Sequence, residues 1–507
     1  MNSSPSSYKK LFELSKNAHY LSSIQSLIEW DQETYMPSEA ITLRSSQIEI
    51  LAHLIHKNKT SKQFAKTLDA LIDIKTGEIK NDKLSSSQIA ALREWRRDYL
   101  RTVKLPASFV KLFAKTTANA SHAWKAAKQH NDFHSFSPHL EKVVSLCRKK
   151  ADILGFEEHP YDALLDLYEP EAKTSYLTAL FEKLKLDLQE LLKEILSKPQ
   201  IKEDFLYCYC PKYKQLEFCN VLLNKMGFDE ESARLDLSAH PFCTGLFPKD
   251  TRMTTGVHPD NIFFAIFAVL HEGGHGLYNR GLPPEYYGSP LCEPISLGID
   301  ESQSRWWETL IGQSYSFWQY FYPLLQEKFP EQFQSIPLQD FYRAINAVKP
   351  GFIRIESDEV TYNLHVIVRF EIEKGLIEGK IKPKDLPEIW NEKMRENLGI
   401  APQYDGEGCL QDIHWSLGFI GYFPTYTLGN LYASQFFQCF KQDYPQWEEK
   451  VAGGHLDFIR EWLHKHIHQY GRQYTPTELC KKITGKPLSE MPFIDYLKQK
   501  YKSLYTL

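Results

Sequence analysis

The stretch IFFAIFAVLHEGGHGLY, residues 262–278, carries the most structural information in the chain. Nine strictly apolar residues, Ile262 to Leu270, run directly into His271-Glu272-Gly273-Gly274-His275. That run falls well short of the roughly twenty apolar residues needed to cross a membrane. It reads as one interior helix that ends near Gly276 and Gly281. Two residues four apart on a helix are offset by about 40° in azimuth and ~6 Å along the axis. His271 and His275 can therefore turn both imidazoles to one ion, with Glu272 projecting beside it. Ionisable groups at the end of a buried helix need partners. A divalent cation supplies one, and zinc, which takes histidine nitrogen at roughly 2.0–2.1 Å, suits the spacing. The adjacent glycines Gly273 and Gly274 cost about 1 kcal/mol each in a helix relative to alanine. Local stability does not explain them, so they are expected to let another backbone or a substrate come close.

A catalytic zinc usually takes a third protein ligand and keeps one position for water. The downstream segment Gly298-Ile299-Asp300-Glu301-Ser302-Gln303-Ser304-Arg305-Trp306-Trp307-Glu308 reads as a second helix that could supply it. Glu301 lies 26 residues after His275, enough for a loop and a return to the ion; Asp300 and Glu308 compete with it. No third histidine follows closely, which favours a carboxylate. With such a site, Glu272 would take the proton from the attacking water and return it to a leaving amine, a route for amide hydrolysis without a covalent intermediate. The chain has no Gly-x-Ser-x-Gly elbow to support nucleophilic catalysis instead.

The rest of the 507 residues is mostly helical text. Helical spacing recurs along Leu11, Leu14, His19/Tyr20, Ile24, Leu27 and Ile28, and again at Phe181, Leu184, Leu188, Leu191 and Ile195. Gly375 and Gly379, with Pro383 following, mark a helix end within 371–382. Strands are expected only at Asp204–Cys210 and Leu246–Val257, the latter because Thr251, Met253 and Thr255 alternate with other residues. The sum is a mainly α protein with one small β-sheet. No repeat or Gly/Ser/Pro linker divides it, so residues 1–507 are expected to form a single catalytic unit.

With 42% hydrophobic and 24% charged residues, the chain can bury a large core. A net charge of -4 gives no footprint for nucleic acid or an anionic membrane. The start, Met1 to Ser7, is followed by Lys9 and Lys10 rather than an apolar signal core. Nine scattered cysteines, with Cys208 and Cys210 too close for a two-residue-gap motif, read as reduced thiols. Together these features predict a cytoplasmic protein with no nucleic-acid or membrane partner.

At the residues around the histidine pair the chain resembles the thermostable (Taq-type) zinc metallocarboxypeptidase family. The likeness includes Trp30-Asp31-Gln32-Glu33-Thr34-Tyr35-Met36-Pro37, Tyr161-Asp162-Ala163-Leu164-Leu165-Asp166 and His240-Pro241-Phe242. It continues through Asp250-Thr251-Arg252-Met253-Thr254, Ile353-Arg354-Ile355-Glu356-Ser357-Asp358 and Gly408-Cys409-Leu410-Gln411-Asp412-Ile413-His414-Trp415. The resemblance places the third ligand on Glu301, within the family's His-Glu-Ser/Gly-Gln motif. The leading histidine of that motif is replaced here by Asp300, which is expected to stand behind the ligands. The family further implies a two-lobed helical metallopeptidase with a deep active-site cleft, commonly a homodimer. It implies zinc, with cobalt also supporting activity, and release of single C-terminal residues with broad specificity and poorly next to proline. An oligopeptidase or dipeptidyl carboxypeptidase would use the same metal chemistry, and a low-activity zinc peptide-binding protein is the reading that Asp300 suggests.

An enzyme acting on peptides with a free C-terminus must hold a carboxylate, and arginine does so through two parallel hydrogen bonds. Arg354 and Arg252 are the candidates. By similarity to related zinc peptidases, a histidine and a tyrosine stabilise the oxyanion, here His414 with Tyr426, and Tyr422 second. His240 is a further candidate donor to substrate, whereas His365 reads as structural.

Overall fold

The computed structural model describes residues 5–507. Helices α1 (Ser6–Thr34) and α2 (Ile41–Lys59) form an N-terminal hairpin. Leu11 and Phe12 of α1 are buried in a small apolar cluster with Phe64, Leu68, Leu92 and Trp95. The second, larger cluster contains most of the remaining buried apolar side chains, so hydrophobic packing falls into two unequal parts. The short helix α3 (Pro160–Leu165) belongs to the larger part, as does the helix Thr174–Leu196, which buries Phe181, Leu184, Leu188, Leu191 and Ile195 as their spacing predicts.

The sheet has three strands: β1 (Ala233–Leu237), β2 (Cys243–Phe247) and β3 (Asp250–Thr255), in the order β1-β3-β2. β1 runs parallel to β3 with Arg234 opposite Arg252; β2 runs antiparallel with Thr244 opposite Arg252. Thr251 and Met253 are buried between half-buried neighbours, as alternation predicts, but Thr254 is buried along with Thr255, so the pattern ends at Met253. The strand expected over Leu246–Val257 is therefore two strands, because Leu246 and Phe247 end β2 before the chain turns into β3. The strand expected at Asp204–Cys210 does not form. Asp204–Leu206 is a 3-10 turn, and the Cys210 N–H donates to the Pro259 carbonyl rather than to a ladder. Pro211 then has no N–H with which to extend one.

Helix α4 (Ile262–Gly281) starts where the Asn261 side chain accepts from the Phe264 N–H, and it continues past Gly276 to Gly281. Helix α5 (Leu297–Arg305) is capped by Ser296 and passes into a π-helical turn, Trp306–Ile311. Helix α6 (Glu359–Glu378) is capped by Asp358 and ends at Gly379 with φ 82°, the helix end expected in that region. Helix α7 (Pro424–Asp443) closes the group.

α5 is wedged between α4 and α7, and two glycines permit it. A Cβ on Gly274 would stand 2.4 Å from the Gln303 carbonyl oxygen, and one on Gly429 would stand 2.5 Å from Glu301 Cγ. The helix-weakening Gly274 thus admits the backbone of α5, while Gly429 admits Glu301 from the other side. All nine cysteines are free thiols. Among the described residues, no helix is long and apolar enough to cross a membrane.

Candidate active site

The apolar first half of α4 packs in the core and presents His271 and His275 on one face, their ring centroids 5.0 Å apart. From α5, Glu301 Oε2 lies 3.8 Å from His271 Nε2 and 3.7 Å from His275 Nε2. One ligand atom from each of these three residues lies within 4.8 Å of the other two. No other group of this kind occurs among the described residues. Glu301 Oε1 is buried without a hydrogen-bond partner, so the carboxylate has acceptor capacity that the protein alone leaves unmet.

Each imidazole is oriented from behind. His271 Nδ1 pairs with Glu308 Oε2 at 2.8 Å, and the Arg305 guanidinium donates to the same oxygen at 2.7 Å. Arg305 is itself fixed by donation from Nε to Asn430 Oδ1 of α7 at 2.8 Å. The π-helical turn after Arg305 carries Glu308, an irregularity often found at functional sites. His275 Nδ1 pairs with Asp300 Oδ1 at 2.8 Å. Engaging both Nδ1 atoms leaves the two Nε2 atoms to face Glu301. Of the three acids that competed as ligands on sequence, Asp300 and Glu308 therefore hold histidines while Glu301 faces the shared point.

The electrostatics favour positive charge there. Burial opposes charge on His275, but Asp300, Glu272 and Glu301 outweigh it and push the imidazole up to about 10. Burial lifts Glu272 above the ordinary glutamate range against the pull of both histidines. Glu308 is half-buried, and desolvation opposes its charge, yet Arg305 and His271 hold it below the usual range, as a carboxylate. A divalent cation fits this donor set.

A second group lies on the 3-10 turn His414–Leu417 and the start of α7. His414 Nε2 is 3.2 Å from the Tyr426 hydroxyl, and the Tyr422 ring lies 5.3 Å from the His414 ring. Burial holds His414 down to about 4, helped by Arg354 and Arg369 and opposed by Asp412, so its ring is neutral near pH 7. Burial raises both tyrosine hydroxyls, and the Glu301 charge adds to it.

Arg354 is buried beside them. Its guanidinium donates to Asp412 Oδ1 through Nη2 at 2.9 Å and to the Tyr362 hydroxyl through Nη1 at 3.1 Å, and it stacks 4.8 Å from the Tyr426 ring. Its ion-pair partner is Asp412, not its sequence neighbours Glu356 and Asp358. Arg369 also pairs with Asp412, at 2.6 Å. Burial disfavours the Asp412 charge, but the two guanidiniums hold the carboxyl well below its usual range.

Arg252 is placed differently. It donates to Asp250 and lies 5.0 Å from the Trp30 ring, in a joint between β3 and the C-terminal part of α1. His240 is exposed on the loop entering β2, whose half-buried Cys243 thiol is raised by desolvation and by the charges of Glu272 and Asp300. The His365 ring contacts the Gly351 carbonyl at 3.1 Å, and burial pushes it down to about 3. Sequence reading did not single out Arg305, Tyr362, Arg369 or Asp412. Arg305 and Glu308, three apart on one helical segment, were a usable signal; Arg369 and Asp412, 43 residues apart, meet only in the fold.

A hydrolase working through a bound metal ion is the class that this fold and pocket define. Comparison with known proteins narrows it: the chain belongs to the carboxypeptidase Taq (M32) metallopeptidase family, which matches residues 10–501. It is 40% identical to thermostable carboxypeptidase 1 of Thermus thermophilus over 98% of this chain and 99% of that protein. It is 38% identical to carboxypeptidase 1 of Bacillus subtilis, again over 98% of this chain and 99% of the relative. The crystal structure of the M32 carboxypeptidase from Deinococcus radiodurans superposes with a TM-score of 0.95 at 33% identity, covering 99% of this chain and 100% of that one. The chain is therefore a peptide hydrolase of the carboxypeptidase type, and its family implies a metal cofactor.

Proposed function

We propose that the protein releases single amino acids from peptides with a free C-terminus, using one zinc ion held by His271, His275 and Glu301. The observation that carries the reading is the group beside the metal pocket in which Arg354 and Arg369 share the single carboxylate of Asp412. Two cations on one anion leave one positive charge in excess, buried among the Tyr362, Phe423 and Tyr426 rings. A substrate carboxylate balances that charge, and Arg354 is the residue assigned to hold it. Arg252 and His240 are secondary contacts for the rest of the peptide.

Zinc at this site would supply Lewis acidity for the scissile carbonyl; cobalt, with similar ligand preferences, would serve as well. Glu272 accepts the proton of the attacking water and delivers it to the departing amine. Its elevated affinity for protons suits both steps. The neutral His414 ring and the Tyr426 hydroxyl donate to the developing oxyanion, with Tyr422 behind them. Specificity is read as broad and poor next to proline, by likeness to the family. The unpaired thiols support a cytoplasmic setting, and the family likeness supports a homodimer.

A peptide and its C-terminal amide, digested side by side and followed by mass spectrometry, test the reading. The free acid should shorten in single-residue steps while the amide stays intact. Internal cuts or dipeptide loss would instead indicate an oligopeptidase or dipeptidyl carboxypeptidase, and zinc binding without turnover a peptide-binding protein.

A further inference from the structure

Helix α6 presents Arg369 and Glu373, one turn apart, to the segment that carries His414. Arg369 donates to Asp412 Oδ2 and to Gln411 Oε1, both at 2.7 Å, and so fixes the entry to that segment. Glu373 reaches further along it. Its Oε1 accepts from Trp415 Nε1 at 2.8 Å; its Oε2 accepts from the Gly421 N–H at 3.0 Å and the Tyr161 hydroxyl of α3 at 2.6 Å. One carboxyl group thus ties α6 to α3 and to both ends of the 415–421 turn. Trp415 directly follows His414, and Gly421 directly precedes Tyr422.

The first half of the turn is closed by its own backbone, the Gly418 N–H donating to the Trp415 carbonyl and the Phe419 N–H to the His414 carbonyl, but its second half depends on glycine. Gly418 and Gly421 take φ 72° and 94°, in the left-handed region that glycine enters freely. Gly421 is also pressed onto α3, where a Cβ would stand 2.9 Å from the Leu164 and Leu165 backbone. The end of the turn at Gly421 is held from outside, by the Glu373 carboxyl and by α3. Glu373 is fully buried and makes no ion pair among the described residues, an expensive way to fill core volume that leucine or methionine would fill more cheaply. Burial pushes its carboxyl up to about 7 even against its three hydrogen-bond donors. Its retention makes sense if the three donors must be held at fixed points.

We propose that Glu373 is a positioning residue that sets where His414 and Tyr422 stand relative to the metal pocket. This rests on the reading of His414 and the tyrosines as oxyanion donors. Glu373→Gln should lower kcat about tenfold, since a small misplacement of a catalytic donor is costly. KM and metal content should stay within about twofold. Binding of a phosphonate transition-state analogue should weaken by a factor similar to the kcat loss, while a free amino acid product binds as before. In the His414→Ala background the same substitution should cost clearly less than in the native background, about threefold or less, because one of the two positioned groups is gone.

Tyr161→Phe removes one donor and keeps the ring; Trp415→Phe removes the indole N–H together with part of the ring. Each should lower kcat about threefold by the same route, and they carry the test if Glu373→Gln does not fold. Unchanged kcat in these variants, equal weakening of analogue and product, or full additivity with His414→Ala would overturn the proposal. The two readings fail separately. If His414→Ala itself costs nothing, the donor assignment is wrong; if it costs activity and Glu373→Gln does not, only the positioning role is.

Discussion

Glu272 and Arg354 are both buried ionisable groups, but their surroundings assign them different work. Glu272 is lifted by burial and stands next to His271 and His275, which suits a residue that gains and loses a proton. Glu272→Gln removes that proton exchange and leaves the three ligands untouched. The variant should keep its metal and lose at least about a hundredfold in kcat, the usual worth of a general base. Metal analysis beside steady-state kinetics checks this, and near-normal turnover would remove Glu272 from the mechanism. Arg354 is fixed by Asp412 and Tyr362 before any substrate arrives, so it is pre-organised. Arg354→Ala should raise KM for peptides with a free C-terminus by about tenfold or more, in line with loss of a charged hydrogen bond. A loss confined to thermal stability would make its role structural. At this scale the sequence was legible for His271, Glu272 and His275 because one helical turn carries all three. It was not legible for the pairing of Arg354, where Glu356 and Asp358 are nearer in the chain but Asp412 is nearer in space.

Among the elements, the contact of α4, α5 and α7 through glycine governs the metal pocket. Gly274 and Gly429 let Glu301 approach from one helix while the histidines project from another. Gly274→Ala would drive a methyl group against the Gln303 carbonyl. Alanine favours an isolated helix by about 1 kcal/mol, yet overpacking costs about 1–3 kcal/mol. The clash should win, with a lower melting temperature and weaker metal retention in dialysis against a chelator; a more stable variant would show that the helices have room to part. The α4 helix was legible because an unbroken apolar run leads into it. β1 was not, since Arg234 and Asp236 give that edge strand a polar text. The segment 204–210 misled because its apolar and aromatic residues imitate a strand, whereas Tyr207 and Tyr209 face solvent and no ladder partner exists. The π-helical turn at Trp306–Ile311 left no mark in the apolar pattern, although it carries Glu308.

For the whole molecule, buried neutral histidines link folding to pH. His468 is buried behind α5, with Nε2 2.9 Å from Gln303 Oε1, and burial pushes its ring down to about 3. Its folded form resists protonation, so the unfolded chain binds the proton first as the pH falls. The corresponding stability is complete above the ordinary histidine value near 6.5 and is lost as the pH drops from there toward 3, by up to ~1.4 kcal/mol per pH unit. The margin of the native protein over His468→Gln in urea unfolding should therefore be larger at pH 8 than at pH 5, by about 2 kcal/mol. An equal margin at both would mean that the ring titrates normally in the fold. The mainly α class with one small sheet was legible from spacing alone. The division of the interior into two clusters was not, because it depends on which helices meet rather than on how each is patterned.

Anomalous diffraction at the zinc edge, from crystals of the zinc-loaded protein, tests the central assignment most directly. A single strong peak within ligand distance of His271 Nε2, His275 Nε2 and a Glu301 carboxylate oxygen is the expected result. No peak there, or one held by a different set of side chains, would contradict it.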